Sequence, residues 1–139
     1  MAMHFKIITP MRTALEANVL SVHLPGTEGE LEVLPGHAGM ITSVANGELI
    51  YRPVDGEPSS LFVGGGFLQV QHDDVLLVTD TALEADEINT DTVEEALKRA
   101  QDALRNSASV LSREEQTKLA AAIAQQLAML EYNRKHRRS

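Results

Sequence analysis

The feature that most constrains the fold is a change of hydrophobic period near Asp86. From Met3 to about Glu84, apolar residues come in short, β-branched segments separated by frequent turn-forming residues. Beyond Asp86, apolar residues recur at spacings of three and four, which is the period of an amphipathic helix. The sequence therefore predicts a strand-rich domain over residues 1–86 and a helical domain over residues 87–139.

Turn-forming residues divide the first half into about nine or ten short strands, which is typical of a sandwich or a barrel. The segments "ITSVA" and "ELIYR" flank Asn46-Gly47, a dipeptide that favours a hairpin. A glycine run, 64–66, separates two further strand-like segments. Because this run lacks the G-K-[ST] of a phosphate loop, it indicates a bulge or a close backbone contact.

The second half predicts an antiparallel helical hairpin. The first helix carries a regular apolar stripe of Val93, Ala96, Leu97, Ala100, Ala103 and Leu104. Asp91 with Glu94, and Ser112 with Glu115, have the spacing of capping boxes at the starts of two helices. Alanine dominates both helices and buries little apolar area, so we expect a weakly held hairpin that can detach from the strands.

Composition removes several classes of function. The 139 residues include no Cys, so disulfides and thiolate chemistry are impossible. A net charge of −8, 4% aromatic residues and no Trp disfavour nucleic acid as a partner. The N-terminus lacks the pattern of a signal peptide, and no run approaches the roughly 20 apolar residues of a membrane span. These features predict a cytosolic chain, although its C-terminal end is basic.

The segment "GELEVLPGHAGM" holds the strongest candidates for chemistry. His37 has no HxH or HExxH partner, and no G-x-S-x-G elbow is present, so we expect no catalytic residue, no metal and no cofactor. Glu28, Glu30 and Glu32 alternate and share one predicted exposed face. That face is compatible with acid-base chemistry, a solvated edge or recognition of a polar or basic partner. A small enzyme, an adaptor and an interaction subunit all remain open at this point.

Four segments in order carry a specific resemblance. They are "TEGELEVLPGHAG" at 27–39, "GGFLQV" at 65–70, "VLLVTDTA" at 75–82 and "LAAAIAQQL" at 119–127. Together with the layout of strands followed by helices, they make the chain resemble the epsilon-subunit family of bacterial F-type ATP synthases. The resemblance covers nearly the whole sequence.

The resemblance implies an α+β, mostly β protein: a ten-stranded β-sandwich followed by a two-helix hairpin. It implies a non-catalytic rotor subunit on the cytoplasmic face of the membrane. Expected partners are the gamma subunit, the ring of c subunits and the alpha/beta catalytic head, with no nucleic acid and with membrane contact only through the complex. Glu28, Glu30 and Leu31 would contact the ring, and His37 would face gamma and the stalk.

The resemblance also implies that the helical hairpin inhibits ATP hydrolysis when it extends into the catalytic head. Its basic residues would then face a beta subunit; they are Lys98, Arg99, Arg105, Arg113, Arg134, Lys135, Arg137 and Arg138. Some relatives bind ATP through an [IL]-D-x-x-R-A motif. Here Asn89, Thr92 and Val93 replace its Asp, Arg and Ala, so we expect weak ATP binding or none.

Overall fold

The computed structural model describes residues 2–36, 39–107 and 109–136. The chain divides into two compact units, Met1–Glu84 and Ala85–Ser139. The first unit is built from strands and the second from helices, so the predicted class, mostly β with two C-terminal helices, agrees with the structure. The boundary predicted after residue 86 falls inside a 3-10 helix, Ala85–Glu87, with which the second unit begins.

The first unit has seven strands among its described residues, where the resemblance implies ten. They are β1 (Met3–Ile8), β2 (Thr13–Gly26), β3 (Gly29–Val33), β4 (Met40–Pro53), β5 (Ser59–Gln71), β6 (Asp74–Thr79) and β7 (Ala82–Leu83). The count is lower because β2, β4 and β5 are each 13 or 14 residues long. They continue through positions at which turn-forming residues predicted a break.

Strand pairing closes the sheet on itself. The order is β1-β6-β5-β4-β2-β3, and β1 also pairs with β2, so five strands form a ring. All pairings are antiparallel except that of β1 with β6, which is parallel. Alternate side chains point into the ring, as strand geometry requires. Phe5, Leu49, Leu68 and Leu77 are fully buried there and belong to one contiguous core.

The hairpin predicted at Asn46-Gly47 is wrong. Both residues lie inside β4, which pairs with β5 in one register from Met40–Val70 to Tyr51–Ser59. Gly47 has a φ of 156°, a backbone conformation that residues with a side chain rarely adopt. A Cβ at Gly47 would stand 3.1 Å from Cγ of Pro25, so glycine also leaves room for the Pro25 ring.

The close backbone contact predicted at the glycine run is confirmed at Gly66. A Cβ built on this residue would overlap the carbonyl oxygen of Val78, and the φ of Gly66 is 148°. The register with β4 is unchanged on both sides of Gly65, so the run is not a bulge. Glycine is therefore required here because β5 and β6 approach each other closely.

The second unit contains α1 (Thr90–Ser107) and α2 (Arg113–His136). The capping box at α2 is confirmed, since the N–H of Ser112 donates to Glu115 Oε1 at 2.9 Å and the N–H of Glu115 donates to Ser112 Oγ at 3.0 Å. The box predicted at Asp91 is wrong. Asn89 caps α1 instead, with its Oδ1 accepting the N–H of Thr92 at 3.1 Å.

Burial in the helical unit is concentrated at one end. Every residue of the predicted α1 stripe is buried or half-buried. The most buried side chains, however, come from the segment that leads into α1, from the first turn of α1 and from the end of α2; they are Ile88, Val93, Met129, Tyr132 and Asn133. At the opposite end, Val110 between the helices is 80% exposed. The hairpin is therefore packed at its base, where the end of α2 contacts the 3-10 helix, and thinly packed towards its tip.

Candidate partner-binding surfaces

The acidic residues of the N-terminal unit lie on one tight hairpin. Gly26 pairs with Gly29, so Thr27 and Glu28 form the turn between β2 and β3. A Cβ at Gly26 would stand 2.6 Å from the carbonyl oxygen of Gly29, so the strands converge tightly at this point. Glu28 in the turn and Glu30 on β3 are exposed, as is Glu32. The exposure predicted for these glutamates agrees with the structure, and we name the three together the acidic hairpin face.

A histidine accompanies this face. His23 on β2 is directly opposite Glu32 in the strand register, and its Nε2 lies 3.0 Å from Oε1 of Glu30. Both side chains are substantially exposed, at 41% and 71%, so an ion pair between them contributes at most about 1 kcal/mol. The pair therefore adds little to the stability of the fold. The sequence pattern gave His23 no role.

Leu31 does not share this exposed face. It pairs with Leu24 across β2 and β3 and packs, half-buried, against the core of the first unit. The apolar residue that the region displays is Leu34, directly after β3, which is 49% exposed. His37 and Ala38 lie outside the described residues, so the predicted stalk contact of His37 has no structural description.

The outer face of the closed sheet carries exposed apolar side chains on adjacent strands. Phe67 on β5 lies directly opposite Val78 on β6, and Ile8 on β1 is the next partner of Val78. Ile41 on β4 is diagonal to Phe67, because Phe67 pairs with Ser43. Ile41 is 74% exposed, Phe67 62% and Val78 47%. We name Ile8, Ile41, Phe67 and Val78 the sheet-face patch.

The sheet-face patch is informative because an antiparallel sheet with one solvated face normally alternates apolar and polar residues. Here β6 reads "VLLV", with Val75 and Leu77 in the core and Leu76 and Val78 on the outer side. Strands that are apolar on both faces are usually covered on both faces. Contiguous exposed apolar residues of this kind mark sites of protein–protein contact.

A groove of about 510 Å³ adjoins the patch. It is bounded by the end of β1, the glycine run of β5 and the end of β6; its lining residues are Ile8, Thr9, Pro10, Gly64, Gly65, Gly66, Val78, Thr79 and Asp80. The hydroxyl of Thr79 donates to the carbonyl of Thr81 at 3.1 Å, so it is engaged within the protein. The groove extends the patch as a largely apolar recess.

The basic residues predicted on the helices are exposed wherever they are described. Two of them already have intrahelical partners: Arg105 Nη1 lies 3.2 Å from Asp102 Oδ1, and Arg134 Nη2 lies 2.6 Å from Glu131 Oε2. Such exposed pairs exchange readily with other anions, since each contributes at most about 1 kcal/mol. Arg137 and Arg138 lie outside the described residues.

The positions that depart from the nucleotide motif have structural roles of their own. Asn89 uses its side-chain oxygen as the cap of α1, and Val93 is buried at the base of the hairpin. Thr92 is exposed and supplies the N–H that Asn89 caps. The expectation of weak ATP binding or none stays a prediction.

Within the described ranges, no three His, Asp or Glu residues are grouped so as to hold a metal ion. His4 has two carboxylate neighbours: its Nε2 lies 2.8 Å from Glu16 Oε2, and its Nδ1 lies 3.9 Å from Asp74 Oδ1. None of the described helices combines the length and the apolar character that crossing a membrane requires.

Comparison with known sequences gives a family for the first unit. Residues 2–85 match the family model described as "ATP synthase, Delta/Epsilon chain, beta-sandwich domain". The chain is 40% identical over 103 residues to an ATP synthase epsilon chain from Trichlorobacter lovleyi, covering 74% of each chain. It is 35% identical over 133 residues to ATP synthase epsilon chain 2 from Ralstonia nicotianae, covering 95% of each.

Solved structures support the fold over 94% of the chain. A chain from the Euglena gracilis mitochondrial ATP synthase, in a structure of its OSCP, F1 and c-ring, has a TM-score of 0.73 at 20% identity. That match covers 94% of this chain and 80% of the other. A chain from the central stalk and c-ring of the Tetrahymena thermophila enzyme has a TM-score of 0.68 at 11% identity, covering 94% and 96%.

Proposed function

The chain belongs to the family of ATP synthase epsilon chains, and from that premise we propose that it is a rotor subunit of the central stalk of a proton-translocating ATP synthase. It would couple rotation of the c-ring to the catalytic head without catalysing a reaction itself. It would work at the cytoplasmic face of the membrane, which it would contact only through the complex. The observation that carries this proposal is the sheet-face patch on a unit that also displays an acidic hairpin face.

The sheet-face patch is the proposed docking surface for the gamma subunit. Its side chains come from four neighbouring strands of a closed sheet, so the surface is rigid and costs little entropy to order on binding. Large apolar side chains at the centre of an interface commonly dominate its affinity. Phe67 has the largest side chain of the patch. The groove lined by Val78 and Gly66 adjoins the patch. We therefore assign Phe67 as the anchor.

Replacing Phe67 with Ser is expected to weaken binding of gamma about tenfold or more, because the aromatic contact area is lost. Binding would be measured by titrating the purified gamma subunit. Val54→Ser is the matched control, since Val54 is 45% exposed in the loop after β4 and lies outside the patch. Equal losses in the two variants, or no loss with Phe67→Ser, would remove the patch from the interface.

The acidic hairpin face is the proposed contact with the polar loops of the c-ring. Glu28 projects from the turn, and Glu30 and Glu32 follow on the outer side of β3. Three acids on one rigid hairpin suit a basic or polar partner, for which electrostatic complementarity gives orientation as well as attraction. Leu31 contributes indirectly, by packing the hairpin onto the core. Leu34 is the proposed apolar neighbour of the contact.

Replacing Glu30 with Lys is expected to weaken attachment to the c-ring by about two- to fivefold at low salt, with the difference shrinking as salt rises. The measurement is retention of the chain by purified, detergent-solubilised rings across a salt series. Glu57→Lys makes the same charge change on an exposed loop between β4 and β5 and is expected to bind normally. A salt-independent loss in the Glu30 variant would argue for a role in folding.

The helical hairpin is the proposed inhibitory element. Its helices are thinly packed towards the tip and carry exposed basic side chains along their length. Lys98, Arg99, Arg105, Arg113, Arg134 and Lys135 would face an acidic segment of a beta subunit when the hairpin extends. The pairs of Arg105 with Asp102 and Arg134 with Glu131 would exchange for intersubunit pairs at small cost.

A further inference from the structure

We propose that Asn133 is a latch which holds the helical hairpin closed at its base. The proposal rests on the inhibitory role proposed above and adds a residue that sets how readily the hairpin opens. Asn133 lies near the end of α2, and its side chain bonds to the segment that precedes α1. The hydrogen bond therefore joins the two ends of the helical unit.

The geometry of the latch is specific. The Nδ2 of Asn133 donates to the carbonyl oxygen of Ala85 at 3.2 Å, across 48 residues of sequence. The same carbonyl accepts the N–H of Ile88 at 3.3 Å, which closes the 3-10 helix. Ala85 thus uses both lone pairs of its carbonyl oxygen, one within its own segment and one for α2.

Asn133 is nearly as buried as the apolar residues around it. It is 6% exposed, and Met129, Tyr132 and Ile88 in the same unit are 6%, 4% and 7% exposed. A buried amide must keep its hydrogen bonds, because a donor or an acceptor left unpaired away from water is costly. The side chain therefore ties the position of α2 to that of the 3-10 helix more strictly than an apolar residue would.

Any opening that separates α2 from the 3-10 helix must break this bond. Between Val93 and Met129 the described residues of the unit are half-buried or exposed, and Val110 near the tip is 80% exposed. The base is the part of the unit where buried contacts and a long-range hydrogen bond coincide. Opening at the base must break this polar contact together with the apolar ones, so a substitution at Asn133 shifts the population of open molecules.

The test uses amide hydrogen exchange of the full-length chain, followed by mass spectrometry. Asn133→Ala removes the donor but improves intrinsic helix propensity, so faster exchange cannot come from a poorer helix. Asn106→Ala is the matched control, because Asn106 is exposed on α1. We expect peptides from 113–136 to exchange about tenfold faster in the Asn133 variant, with the control within about twofold. Peptides from β1 and β5 serve as the folding control and stay protected in both variants.

A second pair, Asn133→Asp and Asn106→Asp, repeats the comparison with equal changes of charge. A carboxylate at position 133 cannot donate to Ala85 and is repelled by its carbonyl dipole, so exchange is expected to rise again. Equal exchange in the Asn133 and Asn106 variants of both pairs would overturn the latch. The outcome does not depend on the rest of the synthase.

Assembly of each variant into the complex then separates the latch from the inhibitory role. If the latch variants exchange faster and also lower ATP hydrolysis, both proposals are supported. If exchange rises while hydrolysis stays at the control level, the latch proposal is supported and the inhibitory role is contradicted. If hydrolysis falls without any change in exchange, Asn133 acts in the head and the latch is overturned.

Discussion

Ending the chain at Glu84 is expected to raise ATP hydrolysis by the assembled complex about fivefold or more, the lower range of typical allosteric coupling. The change removes the helical unit, Ala85–Ser139, and leaves a unit that has its own contiguous core. The physical reason is that the extended hairpin would bind the catalytic head in one conformation only. Without the hairpin, the catalytic head can again adopt all of its conformations. The measurement is steady-state hydrolysis with full-length and shortened chains at equal occupancy.

Occupancy is the control that this comparison needs. The shortened chain keeps the sheet-face patch and the acidic hairpin face, so its binding to gamma and to the c-ring is expected to match that of the full chain. Equal hydrolysis at equal occupancy would contradict the inhibitory role. It would leave the rotor role intact, because that role rests on the first unit.

Replacing Gly66 with Ala is expected to destabilise the first unit by about 3 kcal/mol or more. Overpacking a tight contact costs about 1–3 kcal/mol, and a non-glycine residue in an unfavourable backbone conformation costs a similar further amount. Both penalties apply here, since the added Cβ would overlap the Val78 carbonyl oxygen and φ is 148°. The free energy of unfolding would be measured by denaturant titration of the unit ending at Glu84.

Gly56→Ala is the matched control for this substitution. A Cβ at Gly56 would meet only Cγ of Pro53, at an ordinary 3.6 Å. Its effect is expected to stay within about 0.5 kcal/mol, as is usual for surface changes. If Gly66→Ala were as mild as the control, the close approach of β5 and β6 would have to be relieved by movement of the Val78 backbone.

The fold class followed from the sequence because hydrophobic period depends on local geometry. The change near Asp86 lies close to the observed division after Glu84. Strand breaks were predicted less well, because turn-forming residues also occur inside long, bent strands. The alternation in "NVLSVHL" places Val19 and Val22 on opposite faces, yet both are fully buried. The pairing of β2 with β4 shifts register between Val19 and Ser21. Such a shift, like a bulge, changes which residues face the core, so Val19 and Val22 can both be buried.

The sequence predicted the acidic hairpin face better than the sheet-face patch, because only the first depends on a local pattern. Acidic residues alternating along a short strand identify an exposed face without further information, and Glu30 and Glu32 lie there. Leu31 was assigned by resemblance, whereas strand geometry places it on the core side. The sheet-face patch depends on Phe67, Val78 and Ile8 being brought together across three strands. The apolar run "VLLV" in β6 was the one local sign of it.

The parallel pairing of β1 with β6 has a consequence for how the protein is made. His4 aligns with Asp74 and Ile8 with Val78, so β1, which is synthesised before the other described strands, cannot complete its pairing until β6 has been synthesised. Until then the ring stays open, and the edges of β1 and β5 that later pair with β6 are exposed to other chains. Contacts between distant residues also slow folding. We therefore expect cotranslational folding to complete the first unit only after β6 emerges, with the local contacts of the hairpin forming afterwards.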